Sequence, residues 1–140
     1  MIAAEDQANL VARLPGSSVP GADEIVALLE DRPDIDLATV NLSRMRAELT
    51  KDDAELADRM VALARVYRMS PRFEHVELLL AAGLDSVEAI CRSRREEFVA
   101  RFGEQLGEAD AVKLHRRACR RAARRARRRM ERSRQSVRER

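Results

Sequence analysis

Residues 50–83 read TKDDAELADRMVALARVYRMSPRFEHVELLLAAG, and their pattern sets the fold class. Leu56, Met60, Leu63, Ala64 and Tyr67 recur at intervals of three and four, the spacing that stacks side chains on one face of an α-helix. Thr50 stands three residues before Asp53, and carboxylates crowd the first turn, as a helix N-terminus favours. Ser70-Pro71 then punctuates: a hydroxyl placed as a cap and a proline placed as the first helical residue predict a new helix. Phe73, Val76, Leu79 and Leu80 form its apolar face, and Gly83 ends it as a left-handed cap.

The same logic predicts helices on both sides of this stretch. Towards the N-terminus, Leu37, Val40, Met45 and Leu49 predict a helix over 37–49, and Ile25, Leu28 and Leu29 one over 22–31 that Pro33 stops. Residues 1–14 read as a frayed helix broken by Pro15-Gly16 and Pro20-Gly21. Towards the C-terminus, Ser86 caps a turn carrying Val87, Ile90 and Cys91. Ser93 with Glu96 has the spacing of a capping box for a helix holding Phe98, Val99 and Phe102. Gly103 and Gly107 are expected to bracket a turn. A last helix starts near Glu108 with Ala111, Leu114 and Ala118 inward.

The expected fold is therefore all-α: a bundle of short helices with helix-hairpin-helix-like turns, followed by an Arg-rich helical or disordered tail. The structural turns are placed at Pro71, Gly83, Gly103 and Gly107. The division expected is a flexible N-terminal segment over 1–19, a helical domain over 20–118 and a basic tail over 119–140.

Charge is split along the chain. The 140 residues carry 27 Lys+Arg and 24 Asp+Glu, a net of +3. Residues 1–112 hold 13 basic and 22 acidic side chains, whereas residues 113–140 hold 14 and 2. Within fourteen positions stand Arg116, Arg117, Arg120, Arg121, Arg124, Arg125, Arg127, Arg128 and Arg129, a candidate polyanion-binding set for nucleic acid or an anionic surface. Seven Arg–Arg pairs lie four apart between Arg116 and Arg132. At about 0.2–0.5 kcal/mol each they oppose helix formation by roughly 1.4–3.5 kcal/mol, so the tail is expected to fray when free and to order on a polyanion. No aromatic residue is interleaved to stack on bases, so binding is expected to be non-specific and salt-sensitive.

Catalytic signatures do not occur: there is no G-x-S-x-G, phosphate-binding loop, G-x-G-x-x-G or H-E-x-x-H. Asp34 and Asp36 flank an expected helix start, where carboxylates cap more often than they catalyse. His115 and Cys119 lie four apart, but no C-x-x-C or H-x-x-x-H pair completes a metal set. The expectation is a non-enzyme with no cofactor and no metal. The two cysteines, Cys91 and Cys119, read as reduced thiols. No apolar run reaches transmembrane length, and the start lacks the basic flank and apolar stretch of a signal peptide. Synthesis in the cytoplasm and release without a signal peptide are expected.

Residues 34–118 bear a family resemblance. Asp34-Ile35-Asp36-Leu37 leading to Asn41-Leu42, Leu63-Ala64-Arg65-Val66-Tyr67-Arg68-Met69-Ser70-Pro71, and Leu78-Leu79-Leu80-Ala81-Ala82-Gly83-Leu84-Asp85-Ser86 follow one another in order. Arg95-Glu96-Glu97-Phe98-Val99, Phe102-Gly103, Leu106-Gly107 and His115-Arg116-Arg117-Ala118 continue the series. This succession resembles the N-terminal region of Tc insecticidal toxin A subunits, which overlap the Salmonella plasmid virulence A-protein family. The resemblance implies a truncated relative of a helical shell module, structural rather than catalytic. It also implies a place in a secreted toxin complex, with other toxin-complex subunits or copies of itself as partners. The alternative is a nucleic-acid-binding helix-hairpin-helix module whose turns at Gly83 and Gly107 offer backbone N–H groups to phosphate. The acidic flanks of those turns, Glu77, Asp85 and Glu88 at the first and Glu104, Glu108 and Asp110 at the second, oppose it and assign any binding to the tail.

Overall fold

Residues 4–139 are described by the structure, a computed structural model, and among them there are eight helices and no strand. The chain is an all-α assembly of short helices ending in one long one, in two compact units divided between Ser86 and Val87. This division differs from the expected single domain over 20–118, and residues 4–19 belong to the first unit.

The first unit holds α1 (Ala4–Arg13), α2 (Ala22–Asp31), α3 (Leu42–Thr50), α4 (Ala54–Met69) and α5 (Phe73–Ala81). Helix α4 is its centre. Asp53 caps it, its side chain accepting from the Leu56 N–H at 3.1 Å, and Met60, Leu63, Ala64 and Val66 are wholly buried. Helices α2, α3 and α5 each pack on α4. Thr50 is not part of that cap: it is the last residue of α3, and its hydroxyl donates back to the Arg46 carbonyl.

The expected flexible segment over 1–19 is instead docked. Leu10 and Leu14 are wholly buried and Val19 nearly so. Arg13 lies 4.5 Å over the Phe73 ring and pairs with Glu74, holding that carboxyl below its ordinary pKa chiefly through the hydrogen bond. Gln7 binds the loop after α2 twice, accepting from the Leu37 N–H and donating to the Ile35 carbonyl, both at 2.8 Å. Residues 1–3 of the expected segment lie outside the described residues.

Two further boundaries move. The helix expected over 37–49 begins at Leu42, because Asn41 accepts from the Arg44 N–H and caps it. Leu37 is still buried, but as a loop residue. At Pro71 the break is where expected, yet α5 starts at Phe73 and not at Pro71. Ser70 closes α4, and its side chain hydrogen-bonds His75 Nδ1 at 2.7 Å in a buried pair instead of capping α5.

The Gly83 turn is as expected. With φ of +78°, Gly83 follows the last turn of α5; its N–H donates to Leu80 and the Leu84 N–H donates to Leu79. These two bonds satisfy carbonyls that a helix end otherwise leaves open.

The second unit holds α6 (Val87–Cys91), α7 (Arg95–Leu106) and α8 (Glu108–Arg138). Helices α6 and α7 both pack on α8. Val87, Ile90, Phe98, Phe102, Leu106, Ala111, Leu114 and Ala118 form its core, with the Phe98 and Phe102 rings 5.0 Å apart. Gly103 does not make a turn: it lies inside α7, where an added Cβ would stand 3.3 Å from Val99 Cγ1. Gly107 alone, with φ of +89°, joins α7 to α8. Ser93 does not cap α7; Arg94 holds that position without a side-chain bond, and the Ser93 carbonyl receives His115 Nε2–H at 2.7 Å.

Candidate polyanion-binding helix

Helix α8 runs unbroken for 31 residues, about 46 Å at 1.5 Å per residue. No glycine or proline interrupts Glu108–Arg138, and arginine is a good helix former, so the tail continues the last core helix directly. Its acidic first turn (Glu108, Asp110) and basic last turn (Arg138) also match the helix dipole.

The first half of α8 is anchored. Ala111, Leu114, His115 and Ala118 are buried beneath α6 and α7. Cys119 on α8 is bonded to Cys91 at the end of α6, with the two Cα atoms 5.0 Å apart. This corrects the expectation of two reduced thiols. The sequence separation of 28 carries no pairing signal, and only packing of α6 on α8 brings the sulfurs together. His115 lies 3.9 Å from the Cys119 sulfur, but that sulfur is committed to the disulfide. Among the described residues no group of three His, Cys, Asp or Glu side chains is placed to hold a metal ion.

The arginines divide by surroundings. Lys113, Arg116, Arg117, Arg120, Arg121 and Arg124 line a shallow groove of about 320 Å³ with no acidic residue in its lining. Burial, with Arg117 and Arg124 alongside, lowers the Arg121 guanidinium below its ordinary pKa. Arg125 turns the other way and pairs with Glu88 of α6 at 3.3 Å, both side chains about a third exposed. The sequence places Glu88 among acids that oppose phosphate, but nothing in it signals this partner 37 positions away. Arg127, Arg128 and Arg129 lie farther out, where every described residue from Ala126 to Glu139 is exposed. Met130 and Val137 on this stretch are the exposed large apolar side chains of the described chain, a feature that reading the tail as uniformly basic passes over.

The other candidate positions are structural. Asp34 pairs with Arg32 at 3.1 Å, and the hydrogen bond from Arg32 lowers its pKa. Asp36 accepts from the Ala38 N–H in a local turn. Arg68 donates to the Leu37 and Val40 carbonyls, tying α4 to the same loop that Gln7 holds. A cleft of about 280 Å³ in the first unit, lined by Val19, Pro20, Glu55, Asp58, Arg59 and Leu80 among others, has its arginine paired with Glu55 and Glu24. No helix among the described residues is long and apolar enough to cross a membrane.

No family model matches the chain, and no curated protein or solved structure matches it either.

Proposed function

We propose that this chain is a non-enzymatic scaffolding module of the kind found in the helical shell of Tc-type toxin A subunits, working in virulence through contacts with other toxin-complex subunits or with its own copies. The observation that carries this reading is where the resembling residues stand. In Leu63–Pro71, the side chains of Leu63, Ala64, Val66, Tyr67, Met69 and Ser70 are buried. In Leu78–Ser86, Leu79 and Leu80 are core and Gly83 is the left-handed cap. Phe98, Phe102, Leu106 and Ala118 complete the second core. Much of the resemblance thus lies on packing and turn residues, which specify a fold, and its segments bring together no convergent set of reactive groups, which supports a scaffold over a catalyst.

The test is light scattering on the full-length protein across a wide concentration range. Apart from Met130 and Val137 the described surface exposes no large apolar side chain, so contacts between copies are polar. A particle mass above the 15.9 kDa of one chain, falling as salt rises, is the expected result. A strict monomer at every concentration and salt, unable to bind toxin-complex subunits, overturns the reading.

A second reading is favoured by α8: binding of a polyanion through its arginines. Its support is the groove lined by Lys113 and five arginines without an acid, continued by an exposed basic helix.

A further inference from the structure

We propose that the exposed end of α8, residues 126–138, is a DNA-binding element that lies in the major groove of a duplex. This inference rests on the polyanion reading and names its ligand.

Nine of the thirteen side chains fall into three strips around this helix; Arg128 and Gln135 lie at its back, Ser136 lies within one flank, and Glu131 borders the other as its one acid. At 3.6 residues per turn, Arg127, Arg134 and Arg138 fall on one flank and Arg129 and Arg132 on the other. Between the flanks runs a strip of Ala126, Met130, Ser133 and Val137. A helix seated in a groove needs this pattern: cations on both sides for the two phosphate strands, and short or uncharged side chains towards the base edges. All of these residues are exposed.

Dimensions agree. A helix with its side chains is about 10–12 Å across, and the major groove of B-form DNA is about 12 Å wide. The segment's thirteen residues span about 20 Å, close to six base pairs. Anchoring of the first half of α8 by its buried face and by the Cys91–Cys119 bond presents the free half in a defined direction from its own unit.

Other polyanions fit less well. The segment has no aromatic side chain for stacking single-stranded bases. The deep, narrow major groove of A-form RNA does not admit a helix. A bilayer surface calls for a broad face of bulky apolar residues, and here there are only Met130 and Val137. The contacts are to phosphate, so binding is largely indifferent to base sequence.

The test uses the full-length protein and fluorescence anisotropy with a short duplex DNA, the matching duplex RNA, one single strand, and vesicles of phosphatidylcholine with phosphatidylserine. Duplex DNA is expected to bind best. Changing Arg127, Arg129, Arg132, Arg134 and Arg138 together to Gln is expected to flatten the slope of log K against log salt by about 4.5, because five phosphates are no longer neutralised. Met130→Glu, which puts an acid on the strip facing the bases, is expected to weaken binding while circular dichroism stays unchanged. Equal binding of RNA, single strand or vesicles overturns the inference but leaves the polyanion reading. So does a slope that responds only to Lys113→Gln, Arg116→Gln, Arg120→Gln and Arg124→Gln. Failure to bind any of the four ligands at low salt overturns the polyanion reading itself.

Discussion

Single side chains hold the first unit together at points that hydrophobic periodicity does not reveal. Gln7 is the clearest, since one amide satisfies both a donor and an acceptor of the loop that carries wholly buried Leu37. Gln7→Ala strands both backbone groups, and we expect a loss of about 1–3 kcal/mol in chemical denaturation. Tyr67 is a second case. It is buried on α4, and burial, then Asp6 and Asp36, push its hydroxyl up to about 12. The folded-state value is raised, so the unfolded chain releases the proton first, from its ordinary value near 10. Stability is therefore unaffected by this group below about pH 10 and falls above it, by about 1.4 kcal/mol per pH unit up to about pH 12. Denaturation across that range is expected to show the fall, and Tyr67→Phe to remove it. Neither Gln7 nor the Asp6–Asp36 surroundings of Tyr67 could be read in advance, because each depends on residues about 30 or more positions apart being brought together.

Among the helices, most were legible because their signals are local. The stripe through Met60, Leu63, Ala64 and Tyr67 and the cap at Gly83 are both contained within a few turns and stand as read, whereas Leu56 at the start of that stripe is only half-buried. Boundaries failed where two local signals competed. Ser70 had the chemistry of a cap for α5, but its hydroxyl found His75. Gly103 had the chemistry of a turn, but Phe98, Phe102 and Leu106 are all buried along one face of α7, and that packing carries the helix through it. Gly83 tests the reading of caps. Nothing lies within 4 Å of an added Cβ, so Gly83→Ala costs only the left-handed backbone, about 1–2 kcal/mol in a thermal or chemical melt. The disulfide makes the matching prediction for the second unit. Closing a loop of sequence separation 28 confines the unfolded chain by about 3–4 kcal/mol. Reductant, or Cys91→Ser with Cys119→Ser, is expected to lower the stability of the α6–α8 unit by an amount of that order, and an unchanged melt contradicts the pairing.

For the whole molecule, composition revealed the charge split and the all-α class, but not where the chain divides. The body read as one domain because its helices are similar in length and composition; only packing shows that α6 and α7 close on α8 and leave α1–α5 as a unit of their own. The candidate site was legible as a run of arginines. Its internal order was not: Arg125 is engaged by Glu88, Arg121 is partly buried, and the outermost arginines flank Met130 and Val137 on an exposed helix. The tail's expected fraying contrasts with a helix that runs to Arg138, and circular dichroism with and without duplex DNA measures how much of that helix exists unliganded.

Scaffold assembly, and not the arginine helix alone, is the function proposed for this molecule. Sedimentation velocity decides it, on the full-length protein beside the variant with Arg127, Arg129, Arg132, Arg134 and Arg138 changed to Gln, at low and moderate salt. Species larger than one chain are expected for both proteins at low salt, because the scaffold contacts are not confined to the end of α8. Monomers throughout for both proteins, with binding of polyanions as the chain's sole interaction, would refute the scaffold.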